Sequence, residues 1–304
     1  MLVGNYGVGN LGDEALKDYF LRSFPEVQWT VISAHPEDQE VPRFPMGIRS
    51  LLSLRWVWTL RALQQSRGMV FGGGSLFTDQ ESVRACFLWG LHAFVARLYG
   101  KPYLLAFQGI GPFRTKIGER IARWVVSHAA FLSVRDPLTA ERIGSWKMNT
   151  KLVQTFDPVF KLMHKEKLHS STQKIFIIIP RASDVSSSDK YHIPAGSTVR
   201  ILLLEPESPT EQALATKIRE GNPGSTILPI RTLPELMTEM SHATTVLSAR
   251  YHGALAAVAL GKEVRLLSQG EGDKLASLRN LPPSGELLEL VDTGERALMA
   301  ALKN

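Results

Sequence analysis

Arg250, Tyr251 and His252 interrupt an otherwise apolar stretch, VLSARYHGALAAVAL, at residues 246–260. The pattern reads as a strand ending at Ser248, a turn through residues 249–251, and a small-residue helix that begins near His252. A helix start presents unpaired backbone N–H groups at the positive end of a dipole. Arg250 adds a planar guanidinium beside them, so phosphate or carboxylate is the ligand such a turn fits. His252 at the same turn can deliver a proton at neutral pH. The other seven histidines lack such company, and neither a cysteine–histidine cluster nor an H-E-x-x-H run suggests a metal.

Two glycine-rich stretches hold further candidates. In GNYGVGNLGDEAL, residues 4–16, Gly7, Gly9 and Gly12 have G-x-G-x-x-G spacing. In a dinucleotide site the helix after such a loop takes the pyrophosphate, and an acid about 20 residues on takes the ribose. Here Asp13 and Glu14 occupy the first helical turn, where their charge suits the helix dipole and opposes an anion. The apolar run at 27–32 ends in Ser33, Ala34 and His35, with no acid for a ribose. The loop is therefore either a tight turn that needs glycine for its angles or a loop whose Asn10, Asp13 and Glu14 hold hydroxyls of a polar ligand. In VFGGGSLFTD, residues 70–79, Gly72, Gly73 and Gly74 expose backbone amides at the carboxyl end of a strand, and Ser75, Thr78 and Asp79 add hydroxyl-binding groups. FQGIGPF, residues 107–113, repeats the arrangement and reads equally as a turn or a contact. In SVRDPLTAERI, Asp136 reads as a helix cap and Pro137 as the first helical residue, while Arg135 either reaches the cleft or, the preferred reading, is half of a structural ion pair.

The elements that must position these residues alternate throughout, strand-like apolar runs with helix-patterned stretches, as in parallel sheets covered by helices. Strands are expected near residues 2–3, 27–32, 68–71, 103–107, 131–134 and 152–154, and again at 175–179, 199–204, 226–229, 244–248 and 263–267. Helices are clearest at 82–99 and 117–127, and S-x-x-E at Ser208 to Glu211 caps one over 211–219. The polar segment 161–174 reads as a linker, and 182–197 is polar and poorly patterned. The fold expected is α/β, two Rossmann-like domains at 1–163 and 164–304 facing across a cleft that is the default ligand site.

Composition narrows the field. The 304 residues are 44% hydrophobic and 21% charged, ordinary for a folded domain pair. Cys86 is the only cysteine, so no internal disulfide forms and the cytoplasm is the expected compartment. No apolar run approaches the ~20 residues of a membrane span, and no signal-peptide pattern precedes the first glycine loop. The net charge of +6 fits anionic partners. It does not make a nucleic-acid binder, because basic and aromatic residues are not interleaved in any known module. The stretch 48–67 carries two tryptophans and arginines six residues apart, which scatter around one helix; an ordinary packed helix is expected in preference to a peripheral membrane contact.

Six segments in order, GNYGVGNLGDEAL, FGGGSLFTD, LYGKPYLLAFQGIGPF, FLSVRDPLTAERI, FDPVF and SARYHGALAAVALG, resemble the polysaccharide pyruvyl transferases over nearly the whole chain. The resemblance implies a glycosyltransferase-B-like fold and transfer of a pyruvyl group from phosphoenolpyruvate to two sugar hydroxyls as a ketal. The acceptor would be a cell-surface or cell-wall polysaccharide or its lipid-linked precursor, met at the inner face of the membrane. The family's R-x-H motif falls on Arg250, Tyr251 and His252, a basic residue after the second domain's first strand on Arg181, and a downstream lysine on Lys274. Arg250, Arg181, Lys274 and the helix start around Gly253 would then hold the donor, with His252 as general acid and Asp13, Glu14 or Asp79 taking the hydroxyl proton. No cofactor or metal is called for. A sugar-nucleotide glycosyltransferase and a non-catalytic carbohydrate-binding protein of the same fold are the alternatives. Because Asp13 and Glu14 sit at the helix start, isothermal titration with NAD or NADP is expected to show no binding in the low micromolar range.

Overall fold

The structure is a computed structural model that describes residues 1–80, 82–164, 175–181, 193, 197–267 and 274–303. Two parallel sheets organise them. The first contains β1 (Leu2–Val3), β2 (Val31–Ser33), β3 (Val41–Pro42), β4 (Met69–Phe77), β5 (Tyr103–Ile110), β6 (Phe131–Val134) and β7 (Val153–Gln154), in the order β3-β2-β1-β4-β5-β6-β7. The second contains β8 (Ile175–Ile179), β9 (Thr198–Leu203), β10 (Thr226–Pro229), β11 (Ala243–Ser248) and β12 (Glu263–Leu266), in the order β10-β9-β8-β11-β12. In each sheet the first strand is central and later strands wind outward both ways, the doubly wound arrangement. The strands are apolar runs because helices cover both faces of such a sheet. Ile175–Ile179 is buried at every position.

Helices fill the connections. They are α1 (Leu11–Ser23), α2 (Ile48–Leu52), α3 (Trp56–Gln65), α4 (Val83–Leu98), α5 (Lys116–His128), α6 (Pro137–Ser145), α7 (Val159–His164), α8 (Pro209–Gly221), α9 (Leu233–Ser241), α10 (Tyr251–Ala259) and α11 (Ser284–Lys303). Their starts follow the capping residues. Ser82 accepts the Arg84 N–H at 3.1 Å, Thr115 that of Gly118 at 3.1 Å, and Asp136 that of Thr139 at 2.8 Å with Pro137 as first helical residue.

The chain divides into two compact units, one of residues 1–8, 16–158 and 285–304, the other of residues 9–15 and 159–284. This is not a single cut near residue 163. The first turn of α1 goes with the second unit, and nearly all of α11 goes with the first. Within the first unit α11 packs closely enough that a Cβ at Gly294 would lie 2.5 Å from the Phe107 ring, and the Tyr19 hydroxyl donates to Glu295 at 2.6 Å.

Several expectations change: the strand expected over 27–32 is only Val31–Ser33, and residues 161–164 of the expected linker are the end of α7. β4 does not stop at Phe71 but runs through Gly72, Gly73 and Gly74 to Phe77, with a register shift against β5 between Gly74 and Phe77. Gly73 and Gly74 have φ of +77° and +80°, which glycine alone adopts without strain, so the run is an irregular strand and not a free loop. Residues 48–67 do not form one packed helix: α2 has no buried residue, and α3 buries only Thr59 and Leu63. Of the segments expected as linker and irregular loop, 165–174, 182–192 and 194–196 lie outside the described residues.

Arg135 is the ion-pair residue expected of it. At 1% exposure it bonds Asp157, itself fully buried, and donates to the Ser75 hydroxyl at 3.0 Å. Asp157→Asn removes the Asp157 charge from that buried guanidinium and is expected to cost about 3–5 kcal/mol in urea unfolding, much of it recovered by the double change Arg135→Met, Asp157→Leu.

Candidate functional site

In the second sheet the winding direction reverses between β8 and β11, which are neighbours. Their carboxyl ends are Ile179-Pro180-Arg181 and Ser248-Ala249-Arg250, and the crevice at such a reversal is where doubly wound folds place ligands. Arg250 caps α10 in extended conformation. Ser248 fixes the turn, its hydroxyl accepting the Arg250 N–H at 3.1 Å and donating to the Arg250 carbonyl at 2.8 Å.

The guanidinium of Arg250 is engaged on every side. Nε donates to the Pro180 carbonyl at 3.3 Å, Nη1 to Glu205 Oε1 at 2.8 Å, and Nη2 reaches Glu205 Oε2 at 2.8 Å and Glu211 Oε2. Burial opposes its charge, yet the two carboxylates more than offset that and hold its pKa above the ordinary value. Burial would raise Glu205, but Arg250, the Asn10 amide and the charge of Arg181 keep it below the usual carboxylate range. Glu211, fully buried, is pushed up by burial against the opposing pull of Arg250, and its other oxygen accepts the Leu204 N–H at 3.0 Å.

Residues 9–15 complete this site from within the second unit. Asn10 donates to Glu205 Oε1 at 2.6 Å, while its side-chain oxygen accepts the N–H groups of Gly12 at 3.0 Å and Asp13 at 3.2 Å. Asn10 is thus the cap of α1, and its amide is spent on Glu205 instead of standing ready for a ligand hydroxyl. Gly12 faces His252 so closely that a Cβ there would lie 1.8 Å from Nδ1 of the imidazole. The third glycine of the opening motif therefore makes room for a histidine 240 positions away and not for a pyrophosphate. Gly253 lets α10 lie against β8, since its Cβ would be 2.5 Å from Ile179. Tyr251 is buried with Lys274 Nζ 6.0 Å from its ring centroid, and His252, Asp13, Glu14 and Arg181 are half-buried.

The sequence pattern of the polysaccharide pyruvyl transferase family matches residues 10–271. The chain belongs to that family. No curated protein matches it. Solved structures share its fold: the UDP-GlcNAc 2-epimerase of Methanocaldococcus jannaschii (11% identity over 100% of this chain and 99% of that one, TM-score 0.59), that of Neisseria meningitidis bound to UDP-GlcNAc (11%, 100% and 99%, 0.58), and the S. aureus MnaA–UDP complex (11%, 100% and 88%, 0.61). At such identities the likeness is one of fold, and that fold is glycosyltransferase-B-like.

Within this family member the expected site residues separate. Asn10, Gly12, Arg181, Arg250, Tyr251, His252, Gly253 and Lys274 lie in the second unit; Gly72, Gly73, Gly74, Ser75 and Asp79 lie in the first. The glycine carbonyls there are taken, Gly72 by the Tyr6 hydroxyl at 2.9 Å and Gly73 by Gln108 at 3.1 Å, and Ser75 is taken by Arg135. Asp79 clamps the loop before α5, accepting from the N–H groups of Arg114 and Thr115 and from the Thr115 hydroxyl. A carboxylate so occupied is a poor general base. Glu205 and Glu211, not among the expected site residues, stand at Arg250. Glu211 looked like half of a capping box, and indeed Ser208 accepts its N–H at 3.4 Å, but its carboxylate turns inward to Leu204 and Arg250.

Burial alone would raise Asp79; the three donors outweigh it and hold the pKa below the ordinary value. The stability this provides is present above the unfolded-state pKa of about 3.9 and vanishes as pH falls through the lower folded-state value. Asp79→Asn is expected to cost about 1–3 kcal/mol in chemical unfolding at pH 7, with the gap to wild type closing as the pH falls below the unfolded-state value of about 3.9.

Proposed function

We propose that the protein transfers the pyruvyl group of phosphoenolpyruvate to two hydroxyls of a saccharide, forming a cyclic ketal and releasing inorganic phosphate. Membership of the pyruvyl transferase family gives the reaction class. The observation that carries the reading to particular residues is the contact of Gly12 with His252, which joins the opening glycine motif and the R-x-H turn in one site.

Phosphoenolpyruvate brings a carboxylate and a phosphate. The amides at the start of α10, with Arg181 and Lys274, are the groups we assign to them, at the carboxyl end of β8 and β11. Arg250 joins them only by exchanging a carboxylate for the donor, since Glu205 and Glu211 fill its fork in this structure. Chemistry begins with a proton delivered to the methylene carbon, and His252 is the general acid. The neighbouring carbon, now electrophilic, is attacked by one sugar hydroxyl; phosphate leaves, and the second hydroxyl closes the ketal. Asp13 and Glu14, on the first turn of α1 beside Gly12, are the carboxylates we assign to the hydroxyl protons. No helix among the described residues is long and apolar enough to cross a membrane.

Release of phosphate from phosphoenolpyruvate, followed over a panel of lipid-linked and wall-type saccharides, tests the reaction; release without any saccharide dependence would refute it. His252→Gln is expected to lower turnover roughly 100-fold or more with donor affinity largely kept. If it retains most of the activity, histidine only positions the donor and Lys274 is the next candidate acid. Arg250→Lys keeps the charge but loses the planar fork that meets Glu205 and Glu211, so donor affinity is expected to fall in isothermal titration.

A further inference from the structure

The segment 46–67 carries a dense run of exposed apolar side chains. α2 buries nothing, and Ile48 and Leu52 are 77% and 73% exposed. Leu54 and Trp58 are each 62% exposed, with Met46 and Leu51 close to half. Isolated surface leucines need no explanation, but six large apolar side chains exposed within 13 residues do. The segment is nevertheless anchored. Trp56 and Leu60 of α3 pack on the core around the buried Leu63, and the Trp56 ring N–H donates to the Leu51 carbonyl at 2.9 Å, tying α2 to α3. The apolar side chains are thus held out from the body on a fixed support.

Charge states what they fit. Residues 41–78 contain five arginines and no acidic residue. Arg49, Arg55, Arg61 and Arg67 are all exposed, and the Arg61 guanidinium lies 5.1 Å from the centroid of the Trp58 ring. A second copy of the chain would set these arginines against their own counterparts, and repulsion would oppose the contact. An anionic bilayer supplies both complements in the right order, headgroup phosphates for the arginines and an acyl boundary for the leucines, isoleucine and tryptophan.

We propose that the α2–α3 surface docks on an anionic lipid bilayer, with Ile48, Leu51, Leu52, Leu54 and Trp58 entering the headgroup–acyl boundary while the exposed arginines pair with lipid phosphates. This takes the peripheral membrane contact, the less favoured of the two sequence readings, over the ordinary packed helix, and it stands independently of the pyruvyl-transfer reading.

Co-sedimentation of the whole protein with extruded vesicles tests it. Binding is expected to vesicles of equal parts phosphatidylglycerol and phosphatidylcholine, and not to phosphatidylcholine alone. It should weaken at least tenfold in 0.5 M NaCl, where the Debye length falls to a few ångströms. Leu52→Glu with Trp58→Glu should abolish it while leaving the circular dichroism and melting temperature unchanged, because neither side chain supports the core. Each exposed arginine changed to glutamine should weaken binding roughly fivefold. Wild-type protein that stays in the supernatant with the anionic vesicles overturns the proposal, as does binding that the double variant leaves intact. A concentration-dependent dimer in analytical ultracentrifugation that Leu52→Glu dissociates also overturns it and assigns the surface to a second copy.

Discussion

Arg250 sits between two carboxylates, and the candidate site depends on that arrangement. Only 11% exposed, its guanidinium gathers the end of β8 through Pro180, the segment after β9 through Glu205, and α8 through Glu211. Through Glu205 the same network reaches Asn10 and the start of α1. Taking an arginine and two glutamates from water costs several kcal/mol per ion before their attraction is counted, so the triad is not evidence of great stability. Its effect is positional. Arg250, the residue just before Tyr251 and His252, has almost no freedom to move while both partners are ionised.

The charge inventory at this end of the second sheet differs accordingly from a bare basic pocket. Arg250 faces two acids, one below its usual pKa and one above it. In the proposed reaction the donor is therefore assigned to Arg181, Lys274 and the helix start, and a donor competing for Arg250 must first contend with Glu205. Displacing a carboxylate from Arg250 requires a ligand that replaces its hydrogen bonds.

Periodicity and end signals made most of the fold readable. Apolar runs such as IFIII became strands at the expected residues, and Asp136 and Ser208 capped the helices they were expected to cap. What stayed hidden depended on partners far along the chain. Gly72 to Gly74 looked like a loop because glycine lowers strand propensity, whereas pairing with β5 on one side carries the strand through them. Glu211 matched a local capping pattern, and nothing nearby in sequence signals that Leu204 and Arg250 would claim its carboxylate. The motif at Arg250 to His252 was legible as a turn, but not the pairing that occupies Arg250. The role of Gly12 was likewise invisible until His252 stood beside it.

The way α11 returns to the first unit governs how the protein can be made. A ribosome that has released residues 1–158 has delivered every strand of the first sheet, yet not the helix whose Leu287, Val291 and Leu298 are buried. The first unit must wait, with the α11-facing side of Phe107 uncovered, until the second unit has been synthesised. Co-translational folding of the two units is therefore interleaved and not sequential, and the second can finish its core before the first.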